Sequence, residues 1–317
     1  MGKPSTTKPG DAGFRWGAFA RYLSSFTVLV LGLALLVGAI IGMRPLEARA
    51  AALHGRGPVR IEIHWPLMAD QPSGGQTWLP KAQQEQLESI ALGAAGASPD
   101  PYSASPLARV SSALFDTGWF SALPTVTRDR RGGIVVDGTF RVPAAVVRKD
   151  GKDSMIAWDG KLMPAVYEPG ESRLPAIIEP SLGPPATKGG ERDYQTPWAG
   201  EDLAASIELL DLVMRQPWRD QVLGIDASAY SRDSTLAIIT RANTRIVWGG
   251  RPSKPRVGEV TTRQKLAYLA QLQHDAKRID GGYPLIYVNS SRLQFDTSAS
   301  AQQALKAEAA PPASGTP

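Results

Sequence analysis

From residue 22 to residue 43 the chain carries 22 consecutive residues without a charge, YLSSFTVLVLGLALLVGAIIGM. Coiled as a helix, the run would be about 33 Å long, enough for the roughly 30 Å hydrocarbon layer of a bilayer. Its glycines do not argue against a span, since membrane helices tolerate them. The expectation is a single uncleaved transmembrane anchor over 22–43. Two other readings stay open. A buried helix of a soluble protein would need a large apolar core all round it. A cleaved signal peptide would use Arg15 and Arg21 as its basic flank and Ala48-Arg49-Ala50 as a small-x-small cleavage site, although the run exceeds the usual core of about 7–15 residues.

Charge does not orient the span. Lys3, Lys8, Arg15 and Arg21 precede it, and Arg44, Arg49, Arg56 and Arg60 follow it, so the positive-inside rule has no clear vote. The sequence has no cysteine, which removes disulfides and thiol chemistry and is silent about compartment. A net charge of +5 over 317 residues, with basic and acidic residues interspersed, gives no reason to expect a nucleic-acid partner.

The remainder is long enough for two modest domains or one large one. Residues 1–21 read as a short polar arm and 44–57 as a linker. Val59-Arg60-Ile61-Glu62-Ile63 alternates with the period of a strand. Pro80 suits a helix first turn, and Leu87, Ile90 and Ala91 follow at rough helical spacing. Ser105-Pro106 resembles a cap and first-turn proline ahead of Leu107, Val110 and Leu114 on one face. Strands are expected at 125–128 and from 134 toward Phe140, around the Gly132-Gly133 turn. This order, strand-helix-helix-strand-strand, can bury one face of each helix on a small three-stranded sheet.

Beyond Pro143 come short extended segments at 144–147, 155–158 and 162–166, with Asp159-Gly160 as a hairpin turn. Repeated proline and glycine over 179–200 predict a long surface loop. Leu203, Ile207, Leu210 and Met214 mark a helix that ends before Pro217. Strands are expected at 222–225, 235–240 and 244–248, a helix over 263–279, and a last strand over 285–288. Residues 297–317 form an Ala/Ser/Pro-rich tail expected to be disordered.

Little in the chain points to catalysis. His54, His64 and His274 are far apart and lack metal-ligand spacing, and no phosphate-binding glycine signature is present. No catalytic, cofactor-binding or metal-binding residue is assigned, and no cofactor is expected. Trp119-Phe120 is read as packing at a helix-to-strand join. Lys265 is read as a solvated helix residue, with an acidic partner as the alternative. Arg141, beside Pro143, is a candidate anchor for an interdomain turn through donation to backbone carbonyls. The last strand carries the most specific use. A terminal sheet edge can accept a strand from another chain, and Tyr283, Tyr287, Val288, Leu293 and Phe295 are the partner-binding candidates there.

Taken in order, these segments resemble the bacterial cell-division family FtsQ, also called DivIB. Leu114-Phe115-Asp116-Thr117-Gly118-Trp119-Phe120 is similar to the end of the second helix of that family's POTRA domain. Phe140-Arg141-Val142-Pro143-Ala144 resembles its Glu-Arg-x-Pro-x-Ala junction, with Phe140 in place of glutamate. Trp158-Asp159-Gly160, Leu174-Pro175, and residues 244–249 followed by Lys265-Leu266 resemble its later motifs. The resemblance implies an α+β protein with an N-terminal transmembrane helix, a POTRA-like domain at 58–142, and a β-rich domain with packed helices at 143–296. It implies a non-enzymatic divisome scaffold, placed in the cytoplasmic (inner) membrane with its bulk outside the cytoplasm. FtsB- and FtsL-like partners would bind by strand addition, and the bilayer would be contacted through 22–43. The alternatives are a POTRA-containing envelope-assembly or secretion protein and, further off, a membrane-anchored hydrolase.

Overall fold

A short alternating strand cannot hide its apolar side alone, and the first part of the fold shows how helices cover it. The computed structural model describes Leu33 and residues 60–67, 77–97 and 103–297. The first unit runs β1 (Ile61–Ile63), α1 (Lys81–Ala95), α2 (Ser105–Asp116), β2 (Thr125–Arg128) and β3 (Ile134–Asp137). Its sheet has the order β1-β3-β2, with β1 parallel and β2 antiparallel to β3. Leu87, Ala91 and Ala95 of α1, and Pro106, Val110 and Leu114 of α2, recur four residues apart and are buried, as one face of a helix requires. The β2–β3 turn is closed by Asp129, whose Oδ1 accepts the N–H groups of Arg131 and Gly133, both at 2.7 Å.

The second unit is one nine-stranded mixed sheet of order β12-β11-β10-β9-β8-β7-β4-β5-β6. Its strands are β4 (Pro143–Lys149), β5 (Lys152–Ala157), β6 (Leu162–Tyr167), β7 (Ala176–Ile178), β8 (Val222–Asp226), β9 (Leu236–Thr240), β10 (Arg245–Gly249), β11 (Leu285–Tyr287) and β12 (Gln294–Asp296). Three α-helices accompany them, α3 (Glu201–Met214), the short α4 (Tyr230–Asp233) and α5 (Thr262–Ala276), with a 3-10 turn at Arg219–Gln221. The Thr261 side chain caps α5 by accepting the Gln264 N–H.

Strand alternation feeds two cores. Ala145, Val147, Ile156, Leu162 and Ile177 point into the first, with Leu203, Leu209 and Leu210 of α3 and Leu269 of α5. Their neighbours Val146, Met155, Ala157, Met163 and Ala176 point the other way, into a core shared with Ile63, Leu87, Leu114, Phe120 and Val136 of the first unit. At about 1.5–3 kcal/mol for each large side chain removed from water, this shared core binds the two units firmly. β7 and β12 were not anticipated as strands. The expected surface loop at 179–200 packs inward at Trp198, which is buried, and at Tyr194.

The expected transmembrane helix is corrected. Among the described residues, no helix is long and apolar enough to cross a membrane. The longest, α1 and α5, have 15 residues each and reach only about 22 Å against a layer of roughly 30 Å. Apart from Leu33, residues 22–43 lie outside the described residues, as do the arm 1–21, the linker 44–57 and most of the tail. The bilayer as a partner and the single-pass inner-membrane placement rested on that helix and are withdrawn with it.

Candidate partner-binding edge and domain junction

Among the described residues no strand pairs with the outer side of β12, and the direction of its backbone groups follows from hydrogen bonds two strands away. The Arg245 N–H donates to the Pro284 carbonyl, and the Val288 N–H to the Val247 carbonyl. Pro284, Ile286 and Val288 therefore turn their backbone groups toward β10, which leaves those of Leu285 and Tyr287 for β12. Leu285 pairs with Asp296 and Tyr287 with Gln294. Backbone groups alternate along a strand, so the N–H and C=O of Phe295 point outward, away from β11.

Side chains around this edge divide by face. Phe295 lies opposite Ile286, on the face that carries α3 and α5. Its ring meets that of Tyr283 at 4.3 Å between centroids, and both remain partly exposed, at 41% and 37%. Tyr287 shares the other face with Gln294. Val288 is wholly buried, and Leu293 packs against the first core. The structure therefore brings Tyr283 and Phe295 together at the surface and turns Val288 and Leu293 toward the core.

Two polar clusters hold this end in place. Asp280 accepts from Arg278 at 2.8 Å through each oxygen, from the Gly282 N–H and from the hydroxyls of Thr240 and Thr244. Burial opposes charge on this carboxyl, but the bonds from Arg278 and Gly282 outweigh it and hold its pKa below the ordinary value. Behind β10, Lys265 is buried, not solvated. Its Nζ lies 2.7 Å from Glu259 and 5.0 Å from the centre of the Trp248 ring. Glu259 also accepts from Arg256 and from the Gly250 N–H. Burial is the main force lowering the Lys265 pKa, resisted by Glu259. Glu259 is held low because its bonds from Lys265 and Arg256 overcome the cost of its burial.

The junction is organised by Arg141, only 2% exposed. Its NH1 donates to the carbonyls of Gly118, Leu162 and Tyr194, at 3.1, 3.2 and 2.6 Å, and its NH2 to Gln195 Oε1 at 3.1 Å. Gln195 donates in turn to the Phe115 carbonyl. One guanidinium thus ties the end of α2, the start of β6 and the 179–200 loop. Burial lowers its pKa, with Asp159 opposing. Pro143 opens β4 directly beyond it. Trp119 and Phe120 are buried at the same join, and the Phe120 ring lies 4.4 Å from that of Phe140.

His64 sits at the surface 2.5 Å from Asp137, and His274 is exposed on α5. His54 lies outside the described residues. Among the described residues, no three metal-capable side chains gather at one place. Asp159 serves its own turn by accepting the Lys161 N–H. Sequence reasoning missed Gln195 and Glu259; only the proximity of Glu259 to Lys265 on one short segment could have suggested the pair.

No family model and no curated protein matches the chain. The FtsB- and FtsL-like partners named from the resemblance therefore have no support and are not carried forward.

Proposed function

We propose that this protein is a non-enzymatic scaffold of the cell-division machinery, of the FtsQ or DivIB kind, that captures an extended segment of another division protein along β12. The outward N–H and C=O of Phe295, beside the exposed Tyr283–Phe295 ring pair, carry this reading. Backbone pairing supplies affinity that does not depend on the partner's side chains, and the aromatic pair offers the apolar anchor that interface hot spots favour. The order of segments along the chain supports the family, and the shared core supports a scaffold whose two units move as one body.

The test is a photo-crosslinker placed at Phe295 of the full-length chain in dividing cells, with a second probe at Val166 on the opposite edge. The expected products are identified cell-division proteins at Phe295 and none at Val166. Products confined to secretion or envelope-assembly proteins, or equal capture from both probes, would sink the reading.

A further inference from the structure

A sheet with two open edges can add to itself, edge to opposite edge, and such head-to-tail contacts do not close. The large sheet has its second edge at β6, and several of the backbone groups there are closed off. The Ala157 N–H donates to the Lys161 carbonyl, so Lys161 faces β5 and the alternate residues face out. Leu162 points its side chain to one core, and Met163 and Ala165 to the other, so the alternation persists through the register shift in the β5–β6 pairing.

The outward positions are therefore Gly160, Leu162, Pro164 and Val166. The Gly160 carbonyl accepts the Trp198 N–H at 2.9 Å. The Leu162 carbonyl accepts Arg141 NH1 at 3.2 Å. Pro164 has no N–H to offer. The 179–200 loop also forms a bridge from Pro197 to Lys161 at this edge. Only Val166 retains both backbone groups without such a closure. At β12 the outward backbone groups are those of Phe295, and among the described residues nothing closes them in this way.

We infer that Arg141, Pro164 and the Trp198 segment form an edge guard, which makes the sheet a strand acceptor at one end only and keeps β12 free for a partner by preventing β12-to-β6 self-addition. The inference rests on the proposed role of β12 for its purpose, but the guard itself does not. Arg141 then has two tasks, fixing the junction and closing the edge, and Pro164 has only the second. The half-buried position of Pro164 makes it the cleaner site to test.

The experiment uses the full-length chain in mild detergent, so that the apolar 22–43 run is dispersed equally in every variant. Pro164→Thr restores an outward donor and a β-favouring side chain. Its expected behaviour is a mass, by light scattering, that rises with concentration while the unaltered chain stays constant. Hydrogen exchange at the Val166 amide should slow by about tenfold or more in the associated form. Pro164→Val, which also restores the N–H, must behave alike, and this guards against a folding defect peculiar to threonine. A folded Pro164→Thr variant of constant mass would overturn the guard, as would association that leaves Val166 unprotected. Adding Phe295→Pro separates the two readings. Loss of association identifies β12 as the added edge, whereas persistence through β6 pairing with β6 keeps the guard and counts against an open β12.

Discussion

Lys265 and Glu259 illustrate what a single buried charge demands. Lys265 depends on Glu259 for its one opposite charge in the interior, whereas Glu259 is shared with Arg256 and the Gly250 N–H, and the Trp248 ring covers the ammonium. Lys265→Ala removes the buried one of the two cations paired with Glu259 and leaves a cavity, and is expected to cost about 3–5 kcal/mol in a urea titration, whereas Lys265→Met with Glu259→Gln, which removes both charges, should cost clearly less. The pH dependence has a definite sign. Glu259 is depressed in the folded state, so its contribution is present above the unfolded carboxyl pKa of about 4.3 and is lost as pH falls through the lower folded value. The single variant should lose the part of that acid-labile stabilisation that Lys265 supplies, with Arg256 keeping the rest, and a double variant that remained as unstable as the single one would contradict this account.

At the scale of elements, the centre of the sheet depends on how closely β7 and β8 approach. Gly224 pairs with Ala176 in the parallel β7–β8 ladder, and a Cβ there would collide with the Ala176 carbonyl oxygen. This is a steric demand for glycine that leaves no flexible side chain to yield. Gly224→Ala is expected to lower stability by about 3 kcal/mol or more, at the upper range of overpacking effects. Gly93→Ala provides the contrast. It lies within α1 with nothing inside 4 Å of its added Cβ, so alanine should stabilise by about 0.5–1 kcal/mol through lower backbone entropy. Midpoints of guanidinium unfolding would check both; equal effects would rule out close approach as the reason for Gly224.

For the whole molecule, the consequential feature is that one face of β4–β7 is covered by the first unit, not by solvent or by α3 and α5. Val146, Met155, Met163 and Ala176 reach a core completed by Phe120, Leu114 and Ile63, and Arg141 fastens its rim. The two units should therefore unfold in a single calorimetric transition. A fragment spanning 143–297 should expose that apolar face and bind a hydrophobic dye or associate. Two separated transitions, with a monomeric and dye-silent fragment, would show that the units are merely adjacent.

Local pattern made much of this fold legible. The helices at 81–95, 105–116, 201–214 and 262–276 announce themselves through apolar spacing and breakers, and β2 to β6 and β8 to β11 through extended runs between turns. The sequence by itself also determined the absence of thiol chemistry and marked the 22-residue uncharged run, which lies almost entirely outside the described residues. It could not reveal β12, because Gln294-Phe295-Asp296 has no local strand signature and becomes a strand only when β11 offers it backbone partners. Nor could it place Lys265, whose helix is polar overall yet turns this one residue inward to Glu259. The tertiary structure alone decided which sheet edge is closed, since the Leu162 carbonyl and the Arg141 guanidinium that caps it are 21 residues apart. Edges, buried ion pairs and shared cores are properties of segments brought together from afar, whereas periodicity reports only what each segment does with its own neighbours.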